Sequence, residues 1–236
     1  MWRTSWLSRE VIVLPAFMGG VVCWLLALSW GHVGGSLWLG LGTAVVCLVL
    51  FLCTAMIYAS IKFLQEWASP LTVVNYTLLG LASGFTLATS LAALLWPDAV
   101  WSLGVLAFIF TLSGLVTRSL SLMRNARLKP KSTLQTAIGI RHPKIVQRAR
   151  GFMGGAFNLR EFFHGAAPGT LKHVRWAFLV GAFVLPLVWL AWGLVTGHAG
   201  LLVLAFVTQY AGLLAERWFF FAQARHPQNL YYQAVS

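Results

Sequence analysis

From residue 11 to residue 61 the chain runs 51 residues without one Asp, Glu, Lys or Arg. Further charge-free runs cover 67–97, 99–117 and 176–215. An apolar run of about 20 residues crosses the hydrocarbon layer as a helix, because intra-helical hydrogen bonds satisfy the backbone where there is no water. The two longest runs exceed one crossing and must fold back as helical hairpins. This predicts an all-α integral membrane helical bundle with six transmembrane helices, at about 11–30, 36–61, 71–95, 99–117, 176–195 and 199–220. A long basic loop, 118–175, lies between helices four and five, and the whole of 1–236 reads as a single membrane-anchor domain.

Local punctuation supports these boundaries. Gly31-His32-Val33-Gly34-Gly35 is a flexible turn, Trp96-Pro97-Asp98 is a tight one, and Thr196-Gly197-His198 separates the last two spans. Pro186, inside the fifth span, predicts a kink. Gly80 and Gly84 form a G-x-x-x-G pair, which either admits a neighbouring helix closely or reflects chance in a glycine-rich membrane chain. Trp30, Trp38, Trp67, Trp96, Trp101, Trp176 and Trp218 lie near span ends, where indole rings favour the headgroup region. The N-terminus carries no pattern of a cleavable signal peptide, so the first apolar segment is expected to be the first span.

Threaded this way, all 17 Lys and Arg residues fall at one end of the bundle. The other end receives Asp98, His32 and His198. Positive loops are retained inside, which places the basic face and both termini in the cytoplasm of a bacterial inner membrane. The formal net charge of +12 therefore reports topology within the lipid bilayer, and no nucleic-acid partner is expected. Cys23, Cys47 and Cys53 lie within spans and lack C-x-x-C spacing, so they read as small hydrophobes, with no metal site in this chain. His32 and His198 are in turns, while His142, His164, His173 and His226 lie in the polar loop or tail. No pair is placed to ligate haem within the bilayer, so no haem is expected.

Glu10 is the residue with the most chemistry. At the mouth of the first span, beside Arg9, a carboxylate exchanges protons with water while facing an apolar cleft. Quinol oxidation releases two protons with two electrons and needs such an acceptor at the membrane edge. The plainer alternative is a carboxylate favoured by a helix N-terminus and paired with Arg9. Glu216 and Arg217 form a second candidate near the end of span six, and Tyr58 and Lys62 close span two at the same face. All four are possible pocket lining, with snorkelling or a headgroup-level position as the rival explanation. The 118–175 loop holds twelve basic residues and one acid, Glu161. Arg127, Lys129, Lys131, Arg141, Lys144, Arg148 and Arg150 are either a solvated topogenic run or a docking surface for an acidic soluble partner. The interspersed Phe152, Met153, Phe157, Phe162 and Phe163 favour docking.

Several segments carry a resemblance to a known family. They are Thr4-Ser5-Trp6-Leu7-Ser8-Arg9-Glu10, the run from Arg127 to Gln135, Arg141-His142-Pro143-Lys144, Gly151-Phe152-Met153-Gly154-Gly155, Arg160-Glu161-Phe162-Phe163-His164, and the tail from Ala215 to Asn229. Together they resemble the membrane anchor subunit of dimethyl sulfoxide reductase-type molybdoenzymes. The resemblance implies a haem-free helical anchor that binds menaquinol as substrate and oxidises it in anaerobic electron transport. It implies two partners, an iron–sulfur electron-transfer subunit and a molybdopterin catalytic subunit. Glu10 matches the family's acidic residue linked to quinol binding. The family usually has two further spans ahead of this motif, closed by a quinol-site His. This chain opens at Met1-Trp2-Arg3, so that His has no counterpart here. The family also places its soluble subunits in the periplasm, whereas the charge count assigns the same face to the cytoplasm. The leading reading is a quinol-oxidising anchor; its rivals are a structural anchor without a working quinol site and a small transporter.

Overall fold

The computed structural model describes residues 3–129, 131, 133–146 and 168–225. The described residues form helices α1 (Trp6–Ser29), α2 (Val33–Ala59), α3 (Pro70–Leu95), α4 (Val100–Ala126), α5 (Leu134–Ile138), α6 (Pro168–Leu179), α7 (Leu185–Thr196) and α8 (Ala199–Ala222). Six stretches are long and apolar enough to cross a membrane, and the fifth of them, Gly169–Thr196, is α6 and α7 joined through a π-turn at Val180–Val184. The fold is an all-α bundle, and no strand occurs among the described residues.

Helix ends follow capping chemistry more closely than charge. The Ser5 hydroxyl accepts the Ser8 N–H at 3.4 Å, so α1 starts at Trp6 and not near residue 11. Arg9 and Glu10 therefore sit within the helix. Ser69 caps α3 by accepting the Leu71 N–H at 3.2 Å, and Pro70 occupies the first turn, where its missing N–H costs nothing. Gly31, at φ +75°, closes α1, with the His32 N–H bonded to the Ala27 carbonyl at 3.0 Å.

The largest departure concerns the fourth span. It does not end at 117 but continues to Ala126, since Ser119-Leu120-Ser121-Leu122-Met123 contains no Gly or Pro to stop it. The fifth helix likewise begins at Pro168, well before residue 176. The segment read as a loop over 118–175 thus surrenders both flanks to the spans.

Helix α3 is the hub, packing on α2, α4 and α8, while α6, the π-turn and α7 pack against α8. One core cluster gathers Leu79, Phe178, Ala182, Phe183 and Phe219; a second gathers Ala107, Leu190, Leu202 and Ala205. The α1–α2 hairpin leans on this core from outside. Its first helix buries no described residue and exposes Val11, Met18, Val22 and Leu25, the pattern expected of a face turned to lipid. Two hydroxyls inside the core find carbonyl partners: Thr86 bonds back to the Ala82 carbonyl at 2.7 Å, and Ser90 bonds the Leu202 carbonyl of α8 at 2.8 Å.

One backbone expectation changes. Gly80 does receive a neighbour, the Phe51 ring of α2, but Gly84 faces open space, so the pair is not a helix-crossing motif. The close crossing is made by Gly181 and Gly212 instead. A Cβ on Gly212 would lie 2.1 Å from the Ala182 nitrogen. Pro186 is accommodated by the π-turn just before it, in which the Leu185 N–H reaches the Val180 carbonyl. Pro186 gives no N–H to the preceding turn, and the Ala182 carbonyl four residues back faces Gln209 Nε2 at 3.5 Å, with Gln209 also donating to Thr111 Oγ1 at 3.0 Å. Gly212→Ala should therefore lower the thermal unfolding midpoint of the detergent-solubilised protein by many degrees, whereas Gly84→Ala should leave it within error. Equal behaviour of the two variants would refute the assigned crossing.

Candidate functional site

The glutamates and arginines of the spans converge at one end of the bundle, opposite Asp98. Glu216 on α8 is 1% exposed and forms ion pairs with two guanidinium groups. Arg118 Nη2 on α4 approaches its Oε1 at 2.8 Å, and Arg217 Nε reaches its Oε2 at 3.0 Å. The Arg118 contact is a charge–charge approach more than a directed hydrogen bond, because Nη2 and Nε meet no partner at hydrogen-bonding angles among the described residues. Its Nη1 adds a long bond to Ser121 Oγ at 3.5 Å, and its guanidinium lies 5.6 Å from the Phe178 ring and 6.0 Å from the Phe219 ring. A charge this deep, about two turns inside the helix end, is tolerated only when paired.

Arg217 extends the cluster toward the surface. It is 32% exposed, with its guanidinium 4.6 Å from the Tyr76 ring and 5.2 Å from the Phe220 ring. Phe220 belongs to an aromatic cluster with Tyr58, Trp67 and Phe221, in which Trp67 stacks on Phe220 at 5.2 Å and donates its Nε1–H to the Phe220 carbonyl at 2.9 Å. Arg124, one and a half turns beyond Arg118, clamps the α2–α3 link by donating to the Gln65 and Ala68 carbonyls at 3.0 and 3.3 Å.

Glu10 is half-buried on α1, and its Oε1 accepts the hydroxyl of Thr54 on α2. Tyr58 lies one turn after Thr54 on α2, and its ring meets the Phe220 ring at 5.4 Å; the Arg217 guanidinium lies 5.2 Å from the same ring, so an aromatic contact links the hairpin to α8. Arg9 donates to the Arg3 carbonyl at 2.7 Å and lies over the Trp6 ring at 4.1 Å. The arrangement is a carboxylate on α1, a phenol on each of α2 and α3, an aromatic cluster and a guanidinium on α8.

Of the residues singled out in the sequence, Glu10, Tyr58 and Arg217 are brought together. Glu216 is close by but is buried between two arginines and lines no surface. Lys62 is exposed in the link after α2, outside the group. Arg127, Lys129, Lys131, Arg141 and Lys144 lie at the same end, away from the core, three of them flanking the short α5 with its Thr133–Thr136 capping box. Arg148, Arg150 and Phe152 lie outside the described residues, as do Met153, Phe157, Phe162 and Phe163. Trp30, Trp38, Trp96, Trp101 and Trp176 are exposed near the span ends, in keeping with a headgroup belt, but Trp67 is held within the aromatic cluster. Arg118, Thr54 and Tyr76 join the site without having been singled out by sequence pattern. For Arg118 the missed signal is the uninterrupted helical pattern to Ala126; for Thr54 and Tyr76 no sequence signal exists, since only inter-helix packing gives them partners.

Fold and site together define a multi-spanning integral membrane protein with its ionisable and basic groups gathered at one end. The chain belongs to the DMSO reductase anchor subunit (DmsC) family, whose match covers residues 2–232. It is 50% identical over 251 aligned positions to a sulfite dehydrogenase subunit of Allochromatium vinosum, spanning 100% of this chain and 76% of that relative. No solved structure matches it. The chain is thus a membrane anchor subunit of a molybdoenzyme-type complex, and such a subunit associates with catalytic and electron-transfer chains.

The buried carboxylate makes a direct stability prediction. Glu216→Ala strips Arg118 of its counter-charge in a low-dielectric site and should cost about 3–5 kcal/mol. Adding Arg118→Met should recover much of that loss, because the stranded charge leaves with it. Thermal unfolding of the two variants decides this; a double variant no more stable than the single one would mean that the charge is not what the carboxylate compensates.

Proposed function

We propose that this anchor binds a membrane quinol, menaquinol in the leading reading, at the charged end beside Glu10 and oxidises it for a docked iron–sulfur subunit that feeds a molybdopterin catalytic chain. The observation that carries this reading is the Glu10 carboxylate. It is half-buried on a lipid-flanked helix and held by Thr54, one turn before Tyr58 on α2. The residues fit a quinol. An apolar ring meets the aromatic group of Tyr58, Trp67 and Phe220, its hydroxyl hydrogen meets a carboxylate, and its tail meets the exposed apolar flank of α1 and α2.

Quinol oxidation delivers two electrons to the partner and two protons to the protein. Thr54 holds Oε1 of Glu10, which leaves Oε2 to accept a proton from the quinol hydroxyl. The position of Glu10 in the first turns of α1 then gives that proton a short path to water. The arginines and lysines at the same end, Arg127, Lys129, Lys131, Arg141 and Lys144, steer an acidic partner to the face where electrons are released. By the charge count this face is cytoplasmic.

A second direction of flow is favoured by the relative that carries the name of a sulfite dehydrogenase. An enzyme that oxidises its substrate hands two electrons to a quinone, and the same carboxylate then supplies protons. The pocket serves either direction; the partner's chemistry sets which one runs.

Glu10→Gln should leave the complex assembled while cutting quinol-linked turnover by about 10²-fold or more, the scale of a lost general base. Unchanged turnover, measured in both directions with a water-soluble quinol and quinone, would leave a structural anchor as the better account. For orientation, a reporter active only in the periplasm, fused after Ser236, should stay inactive. Strong activity would move the charged face to the other side.

A further inference from the structure

We propose that Arg217 is the second contact of the quinone head group, presented to it by a buried Arg118–Glu216 strut. The inference rests on quinone binding beside Glu10. Three observations on the structure carry it. First, two guanidinium groups share one carboxylate, so the group Arg118–Glu216–Arg217 keeps a net positive charge. Arg118 and Glu216 are 3% and 1% exposed and Arg217 is 32% exposed, so that charge reaches the outside only through Arg217. Second, Arg217 is already immobilised. Its Nε is taken by Glu216, and its guanidinium is held near the Tyr76 and Phe220 rings. Among the described residues its terminal nitrogens are left to donate elsewhere, and an arginine fixed in this way loses little freedom on binding an oxygen. Third, Thr54, which holds Glu10, lies one turn before Tyr58 on α2, and the Tyr58 ring meets the same Phe220 ring that lies 5.2 Å from the Arg217 guanidinium, which puts the acid and the cation at two ends of one aromatic group.

A quinone has an oxygen at each end of its ring. With Glu10 facing one of them, Arg217 faces the other. As the hydroxyl O–H bond on the Glu10 side breaks and its proton passes to the carboxylate oxygen, electron density rises across the ring. Arg217 donates hydrogen bonds to the opposite oxygen, stabilising that density, and the second proton leaves that oxygen for water at the partly exposed side of Arg217 as the two electrons pass to the docked iron–sulfur partner. In this arrangement Glu216 and Arg118 are positioning residues. Arg118 is clamped by burial and by the Phe178 and Phe219 rings, Glu216 is clamped by Arg118, and Arg217 is clamped by Glu216.

The test uses the complex as purified with its own partner chains, titrated with a fluorescent quinol analogue and assayed for KM and kcat with a soluble quinol. Arg217→Gln leaves the buried Arg118–Glu216 pair intact, so assembly and thermal stability should hold while the analogue binds about tenfold more weakly and KM rises in step. Arg217→Lys should recover part of that loss, since it keeps the charge without the planar fork; a purely structural role gives no such recovery at unchanged stability. Wild-type affinity in Arg217→Gln, alongside loss of turnover in Glu10→Gln, would overturn the role of Arg217 while leaving quinol oxidation at Glu10 in place. Wild-type affinity and turnover in both variants would bring down the quinol site itself.

Discussion

A carboxylate taken out of water has to find its compensating charge inside the protein, and in this bundle Glu216 finds it on a helix far away in sequence. Its pairing with Arg118 brings α4 to α8, and the rings of Phe178 and Phe219 that flank the guanidinium bring in α6. The pair sits in a dry, low-dielectric setting where a stranded charge costs several kcal/mol. The position of each helix around it is therefore tightly constrained. This is a specificity device more than a source of stability, since well-packed apolar side chains would hold the same helices together at least as firmly.

The α1–α2 hairpin obeys a different rule. With no buried residue described on α1, hydrophobic burial gives it little purchase in a solvent that is itself apolar. Its polar and aromatic ties lie at the charged end: Thr54 to Glu10 within the hairpin, and Tyr58 to Trp67, Phe220 and Phe221 between α2 and the core. A helix pair attached at one end and open to lipid along its length suits a site that a hydrophobic substrate enters from the bilayer. The core behind it is stiff by contrast. The Gly181–Gly212 crossing leaves no room for a methyl group, and Gln209 closes over the break that Pro186 makes in the fifth span.

How much of the site was legible in the sequence follows from which interactions are local. Glu10 stands out because it is the one acid bordering a 51-residue charge-free run. Tyr58 and Arg217 can be placed at the same face by helix counting. Glu216, however, gives no sign in the sequence of whether it faces a pocket, lipid or a buried cation; its partner Arg118 lies 98 positions earlier, and charge counting assigns that arginine to a loop. Ending the fourth span at its first charged residue is the source of the error. A paired charge need not leave the membrane, and nothing in the backbone chemistry after Arg118 tells a helix to stop. Trp67 illustrates the same limit, as an indole near a span end is equally at home among lipid headgroups or donating to a carbonyl.

The sequence by itself determined that six stretches among the described residues are long and apolar enough to cross a membrane and that Lys and Arg cluster at the same set of their ends, because apolar length and charge distribution are one-dimensional quantities. Tertiary structure alone decided which partners the ionisable groups meet: Glu216 with Arg118 and Arg217, and Glu10 with Thr54. Those meetings depend on helix rotation and crossing, which are set by backbone contacts such as Gly181 on Gly212 and by the requirement that every charge in a dry interior be answered.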